Sequence, residues 1–198
     1  MTSPGAVERI ILDADHHYWL GKQRVYGFTE IATDLGIIKP NPFHTEFGRD
    51  RGTAVHDWLA FIAEGNEPEN EPDERIAGYV AAIRKFLAES GFKCVGAEKP
   101  LYEPVLRYGV KPDLWGHLGA FSCVIEAKRG AKLPYHFLQT AAQKIALAAN
   151  GFNAQRRYGL YLSDGDYRLV PHENRADEGN WKNIVAAFHS KRFYEEAI

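Results

Sequence analysis

The chain has 198 residues, 45% of them hydrophobic and 13% aromatic, which is enough for a substantial core and excludes an intrinsically disordered protein. Its 24 basic and 26 acidic residues give a net charge of −2, which argues weakly against a protein that coats DNA passively. No apolar stretch approaches the ~20 residues of a membrane-spanning helix, and the N-terminus lacks a secretory-signal pattern, so we expect a cytoplasmic protein with no membrane partner.

The first half of the chain predicts a small β-unit followed by helices. Gly21 suits the first turn position of a hairpin, and Gly91 suits the end of a helix. Apolar residues recur at helical spacing in the two longer helices, and the polar stretch between them predicts an exposed loop. In chain order, the predicted elements are a β-hairpin unit at 8–27, a short helix at about 29–36, and amphipathic helices at 49–63 and 73–90.

The second half alternates between strands and helices. Its predicted elements are strands at 93–97, 101–108, 110–117 and 121–128, a helix at 134–150, strands at 157–163 and 167–171, and a helix at 174–191. This order predicts an α/β fold with a mixed central β-sheet flanked by helices. We expect one domain over residues 1–198, with the unit at about 8–27 as an N-terminal β-hairpin extension.

One predicted hairpin holds two carboxylates side by side. If Gly119-Ala120 form the centre of the turn, Asp113 stands opposite Glu126, and directly opposed residues share a face. Lys128 lies two residues beyond Glu126, so it projects from that face too. Paired carboxylates in an apolar hairpin repel each other and cost desolvation energy, and a hard divalent cation bound between them explains why they are tolerated.

A cation, paired acids and a lysine are the requirements of phosphodiester hydrolysis. Lys128 can orient or deprotonate an attacking water, or stabilise charge that develops on a phosphate. The alternative is a solvent-facing hairpin with an ordinary Glu–Lys pair, because each of these short motifs is common by itself.

Two further residues are candidates for the same site. His56 lies at the edge of an apolar helical stripe, where a hydrogen-bonded core histidine is the more common outcome, but the hairpin favours metal ligation. A nitrogen ligand shifts the preference from Mg²⁺ toward Mn²⁺. Glu98 is a possible outer-shell carboxylate or, alternatively, a strand residue paired with Lys99. The other histidines are expected to be structural or on the surface.

Contact with nucleic acid is expected to be local and independent of base sequence. No helix-turn-helix, zinc finger or comparable base reader is visible. Basic residues near the catalytic strand could neutralise phosphates, although each is individually more typical of a solvated surface charge. They are Lys111, Arg129, Lys132 and Lys144.

The motifs resemble those of a known superfamily. KPD at 111–113 and IEAK at 125–128 resemble the PD-(D/E)XK nuclease signature. RGTAVH at 51–56 resembles the G-x-x-x-H helix of its RecB-like group, and LQTAAQ at 138–143 resembles that group's Q-x-x-x-Y helix. The lead-in HHYWLGKQRVYGFTEI is similar to that of phage-type members. The resemblance extends from about residue 50 to residue 163.

This resemblance implies a restriction-endonuclease-like core and a set of roles. The implied metal ligands are His56, Asp113, Glu126 and the backbone carbonyl of Ala127, and Lys128 is the implied catalytic lysine. Gln139 is implied to contact DNA or support the site. Gln143 departs from the pattern, because the family has tyrosine there, so the substrate-side role of this helix is open. Many relatives carry an iron–sulfur cluster, for which the two cysteines of this chain do not suffice.

We therefore expect a Mg²⁺- or Mn²⁺-dependent DNA nuclease, with exonuclease action in recombination, repair or phage DNA processing as the preferred mode. If phage-encoded, it would act in the host cytoplasm. A homo-oligomer or a recombination partner protein is a common route to processivity in such enzymes. The alternatives are a catalytically degenerate module of nuclease origin that binds nucleic acid or protein, and a hydrolase of small phosphodiesters or nucleotides.

Overall fold

The computed structural model describes residues 9–39, 46–66 and 68–197, and of residues 46–51 only the backbone. The first residue of the predicted N-terminal unit, Glu8, and the side chain of Arg51 in the RGTAVH motif lie outside this description. The described residues form ten strands and five helices: β1 (Ile10–Leu12), β2 (Tyr18–Leu20), β3 (Gln23–Gly27), α1 (Phe28–Asp34), α2 (Glu46–Ala63), α3 (Glu74–Ser90), β4 (Phe92–Ala97), β5 (Leu101–Glu103), β6 (Tyr108–Val110), β7 (Leu114–Leu118), β8 (Phe121–Arg129), α4 (Tyr135–Ala149), β9 (Arg156–Leu162), β10 (Tyr167–Pro171) and α5 (Ala176–Glu196).

The predicted mixed sheet is present. Its strand order is β10-β9-β8-β7-β4, in which β8 and β9 are parallel and the other neighbours are antiparallel. The predicted turn at Gly119-Ala120 is confirmed, because Leu118 pairs with Phe121 across it. Gly119 has φ +60°, a backbone conformation that glycine adopts without strain. The turn therefore fixes the register of β7 against β8.

A second five-stranded sheet accompanies the first, so the expectation of one central sheet was incomplete. Its order is β1-β2-β3-β6-β5, with β3 parallel to β6 and the other pairs antiparallel. The N-terminal strands β1 to β3 thus pair with one another and also with a strand about eighty residues later in the chain. The turn at Gly21-Lys22 between β2 and β3 is confirmed by the pairing of Leu20 with Gln23.

Two predicted strands were wrong in their boundaries. The stretch 101–108 is a hairpin of β5 and β6, because the chain turns after Glu103, whose side-chain carboxylate accepts the backbone N–H of Leu106. Arg107 completes this turn at φ +58°. Val110 belongs to β6 in the second sheet, so the strand predicted from residue 110 begins only at Leu114. The C-terminal helix also extends further than predicted, to Glu196.

Two layers of apolar packing enclose the first sheet. On one face, Val55 and Leu59 of α2 and Val80 of α3 pack against sheet residues such as Ile125. On the other face lies α4, whose Leu147 packs with Val124 of β8. The opposite side of α4 packs, through alanines 142 and 146, against α1, α5 and β6. Helix α4 is therefore buried between the two sheets. Among the described helices, none is both long and apolar enough to cross a bilayer.

Candidate metal centre

A cavity of about 530 Å³ opens where the two sheets, α1 and α2 approach one another. Strand β2 and the turn before it form one wall, and α2 forms another. Most of the residues predicted from sequence to be catalytic or metal-binding line this cavity. Lys128 and Ala127 are not among the lining residues. The predicted residues that line the cavity are His56, Glu98, Lys111, Asp113, Glu126, Gln139 and Gln143.

Three of these side chains offer ligand atoms that lie within 4.8 Å of one another: His56, Glu98 and Asp113. Nδ1 of His56 is 2.9 Å from Oδ1 of Asp113 and 3.4 Å from Oε1 of Glu98. One imidazole nitrogen and two carboxylate oxygens at this separation form a donor set that Mn²⁺ accepts, and Mg²⁺ less readily because of the nitrogen. The residues thus fit a single divalent cation.

Local structure fixes the two carboxylates of this set. Asp113 stands immediately before β7, and its Oδ2 accepts the backbone N–H of Ala127 at 2.6 Å. Glu98 follows β4 at φ +49°, a conformation that costs an L-residue energy, and its backbone N–H donates to the carbonyls of Pro112 and Asp113. The strain at Glu98 is thus held by the same segment that carries Asp113. Ala127, whose carbonyl is a predicted ligand, contacts the site through its N–H.

Glu126 is positioned differently from the other two carboxylates. Its Oε1 accepts hydrogen bonds from Lys128 Nζ and Gln139 Nε2, each at 2.6 Å, and its Oε2 accepts one from Gln143 Nε2 at 2.5 Å. Three donors therefore orient a carboxylate that is only 3% exposed. Gln143 stands at the position where the sequence resemblance calls for tyrosine, and here its amide holds Glu126. Its Oε1 is buried without a partner among the described residues.

Charge and burial together make the site hold protons tightly. Burial raises the pKa of Asp113, and the charge of Glu126 raises it further, against the opposing effect of His56. Burial by itself would lower the pKa of His56, but the charge and hydrogen bond of Asp113 and the hydrogen bond to Glu98 raise it above its ordinary value. A cation that binds here must displace a proton.

Lys128 is a cation in this environment. Burial lowers the pKa of its ammonium group, but the charges of Glu126 and Asp113 outweigh burial and raise the pKa above its usual range. Of the roles considered from sequence, this arrangement favours charge stabilisation and positioning over proton abstraction, because an ammonium group cannot accept a proton.

The basic residues predicted to neutralise phosphates already have partners. Lys111 forms an ion pair with Glu98 inside the cavity, and Lys144 lies 2.7 Å from Glu178 on α5. Lys132 lies over the ring of Phe137, and Arg129 lies over the ring of Tyr79. Nucleic acid would therefore have to compete with these contacts or approach them from outside.

A polar network anchors α4, which carries both glutamines, to the sheet behind it. Thr140 Oγ1 is 2.9 Å from Nδ1 of His172, whose ring packs against Phe137. The buried Arg157 donates to the carbonyl of Phe137 and to Asp177 at the start of α5. One turn earlier, Nδ1 of His136 contacts the hydroxyl of Tyr161 at 3.1 Å. Burial lowers the pKa of His136 to about 4 and that of His172 to about 3.

Sequence reasoning missed one wall of the cavity that contains the candidate metal ligands. His16 and His17, expected to be structural or on the surface, line the cavity together with Tyr18. They follow a turn shaped by Asp13, whose oxygens accept the backbone N–H groups of Asp15 and His17 and the indole N–H of Trp19. Asp13, Asp15 and His17 are a second group of potential ligands, on a more exposed surface. No periodicity in the sequence indicates that this turn reaches the site.

The sequence matches no protein-family model and no curated protein.

Proposed function

We propose that this protein is a metal-dependent nuclease that hydrolyses phosphodiester bonds of DNA. The observation that carries the proposal is the convergence of His56, Glu98 and Asp113 within 4.8 Å in one cavity, beside the Glu126–Lys128 pair. These groups come from α2, from the end of β4 and from the β7–β8 hairpin. A structural role alone leaves the crowding of buried carboxylates unexplained.

In this proposal the ion is Mn²⁺ or Mg²⁺, held by His56, Glu98 and Asp113. Bound there, it would supply Lewis-acid polarisation of the scissile phosphate. Glu126, predicted as a direct ligand, would hold Lys128 in place while remaining near enough to contribute charge. The ammonium group of Lys128 would stabilise the negative charge that develops on the phosphate.

The finer parts of the proposal are the restriction-endonuclease-like core, DNA as the substrate and exonuclease action. The order of the motifs supports them, and so does the placement of α4 against β8, where both glutamines reach Glu126. DNA contact would be independent of sequence, and a recombination partner or a second copy would supply processivity.

The test is cleavage of end-labelled linear DNA and closed circular DNA in Mn²⁺, Mg²⁺ or EDTA. Asp113→Asn and Lys128→Met retain side-chain shape, and each is expected to reduce metal-dependent cleavage by roughly a hundredfold or more. His117→Ala, at an exposed position outside the cavity, is the matched control and should cleave normally. Attack on the linear substrate alone would identify an exonuclease. Cleavage by Asp113→Asn at the parental rate would refute the site.

A further inference from the structure

The aromatic ring of Tyr18 packs closely against the backbone in the wall of the cavity. Tyr18 begins β2 and pairs with Val25 of β3. Its ring lies over two backbone positions that have no side chain: a Cβ atom added at Gly27 or at Gly109 would lie 2.7 Å from the ring. The two glycines therefore leave the space that the ring occupies, and Tyr18 is only 9% exposed.

The hydroxyl of Tyr18 is a hydrogen-bond donor with no protein partner in the part of the chain that the structure describes. The cavity that Tyr18 lines also contains Glu98, Asp113 and Glu126. Burial raises the pKa of Tyr18, and the charges of Glu126 and Glu98 raise it further, so the phenol stays neutral at physiological pH. A neutral phenol can donate one hydrogen bond, and because the hydroxyl oxygen is accessible rather than fully buried, a ligand in the cavity can supply the acceptor.

The charge of the cavity indicates which kind of ligand supplies that acceptor. Its carboxylates would repel an anionic substrate, except where the bound cation and nearby lysines compensate them. A neutral donor in the wall of the same cavity adds affinity for a phosphate oxygen without adding a cation that would compete for the carboxylates. Hydrogen bonds to charged acceptors are about twice as strong as those between neutral groups.

We propose that Tyr18 is a substrate-binding residue whose hydroxyl donates to a non-bridging phosphate oxygen of the nucleic-acid strand in the cavity. This inference rests on the proposed function. In this inference the β1–β2–β3 unit contributes to substrate binding, since it carries both Tyr18 and Gly27.

The experiment compares Tyr18→Phe with the parent and with Tyr26→Phe. Tyr26 is the matched control because it lies on the neighbouring strand β3, and its ring packs against Phe188 outside the cavity. The probe is a fluorescent single-stranded oligonucleotide, titrated by anisotropy in Ca²⁺. A second titration measures the Kd for Mn²⁺ in the absence of DNA.

Tyr18→Phe is expected to weaken oligonucleotide binding roughly tenfold or more, and to raise KM for cleavage in Mn²⁺ by a similar factor. Its Mn²⁺ affinity should remain within twofold of the parent, and Tyr26→Phe should match the parent throughout. Parental oligonucleotide affinity in Tyr18→Phe would overturn the inference while leaving the nuclease proposal intact. A parent that neither binds the oligonucleotide nor cleaves it would overturn both.

Discussion

Replacing His172 by asparagine is expected to change how the stability of the protein depends on pH. His172 is 2% exposed, and its Nδ1 contacts Thr140. Burial lowers its pKa to about 3, and the charge of Arg157 adds to the effect. Asparagine can place an amide N–H near the position of Nδ1, so the variant retains a donor toward Thr140 while losing the titrating ring.

Proton linkage determines whether stability rises or falls with pH. The folded protein binds the His172 proton more weakly than the unfolded chain, where an ordinary histidine has a pKa of about 6.5. The stability that neutral His172 contributes is therefore complete above about pH 6.5 and is lost as the pH falls toward its folded pKa. Between pH 7 and pH 5 the loss amounts to about 2 kcal/mol of unfolding free energy. His136, whose pKa burial lowers to about 4, adds a loss of similar size.

Urea unfolding of the parent and of His172→Asn at pH 7, 6 and 5 measures this effect. The variant will be less stable at pH 7, because asparagine leaves a cavity beside Phe137. The stability difference between parent and variant should then shrink by about 2 kcal/mol on going to pH 5. His117→Asn, at an exposed position, is the control, and its difference from the parent should stay constant. A difference for His172→Asn that is equally constant over this range would refute the reasoning.

Three further outcomes are expected. Mn²⁺ binding should release at least about one proton and strengthen at least about tenfold per pH unit between pH 6 and 8, because the pKa values of His56 and Asp113 are both raised above their ordinary values. Calorimetry in buffers of different ionisation enthalpy measures this release, and buffer-independent heats would contradict it. Glu98→Gln should weaken Mn²⁺ binding at least about tenfold, whereas Glu64→Gln at the surface should not; equal affinities would remove Glu98 from the ligand set. Gly109→Ala should lower the unfolding free energy by about 1–3 kcal/mol, because its Cβ would meet the ring of Tyr18. Gly179→Ala on α5 meets nothing and should raise it by about 0.5–1 kcal/mol. Chemical denaturation that ranked the two variants alike would contradict the packing.

The spacing of apolar residues and the turn residues predicted those helices and turns that neighbouring residues determine. Helical spacing of apolar residues located the longer helices, and the β7–β8 register follows from two turn residues. The β5–β6 turn was missed because Arg107, not glycine or asparagine, adopts the left-handed conformation there. The second sheet was missed because its parallel pair joins β3 to β6, and nothing in either short strand identifies a partner so distant in sequence.

The residues of the candidate site could likewise be predicted only where local pattern positions them. The hairpin turn placed Asp113 near Glu126, and helical spacing placed His56 at the edge of a buried stripe. The close approach of Glu98 to His56 depends on a positive φ and on hydrogen bonds to the segment before β7, which no periodicity reveals. Tyr18 reaches the cavity only because two glycines from different strands lie beneath its ring. Features that depend on tertiary contact between distant segments were the ones that sequence could not supply.

The parallel pairing of β3 with β6 determines where the chain could be shortened. A fragment starting at Phe28 would contain each of the motifs from His56 to Gln143, and by motif content it would be the minimal unit. It would nevertheless leave one edge of β6 without a hydrogen-bonding neighbour and so invite association between copies. It would also remove the part of the cavity wall that precedes α1. A fragment that keeps both the sheet and the cavity lining intact therefore has to begin before β1, well outside the span of the motifs.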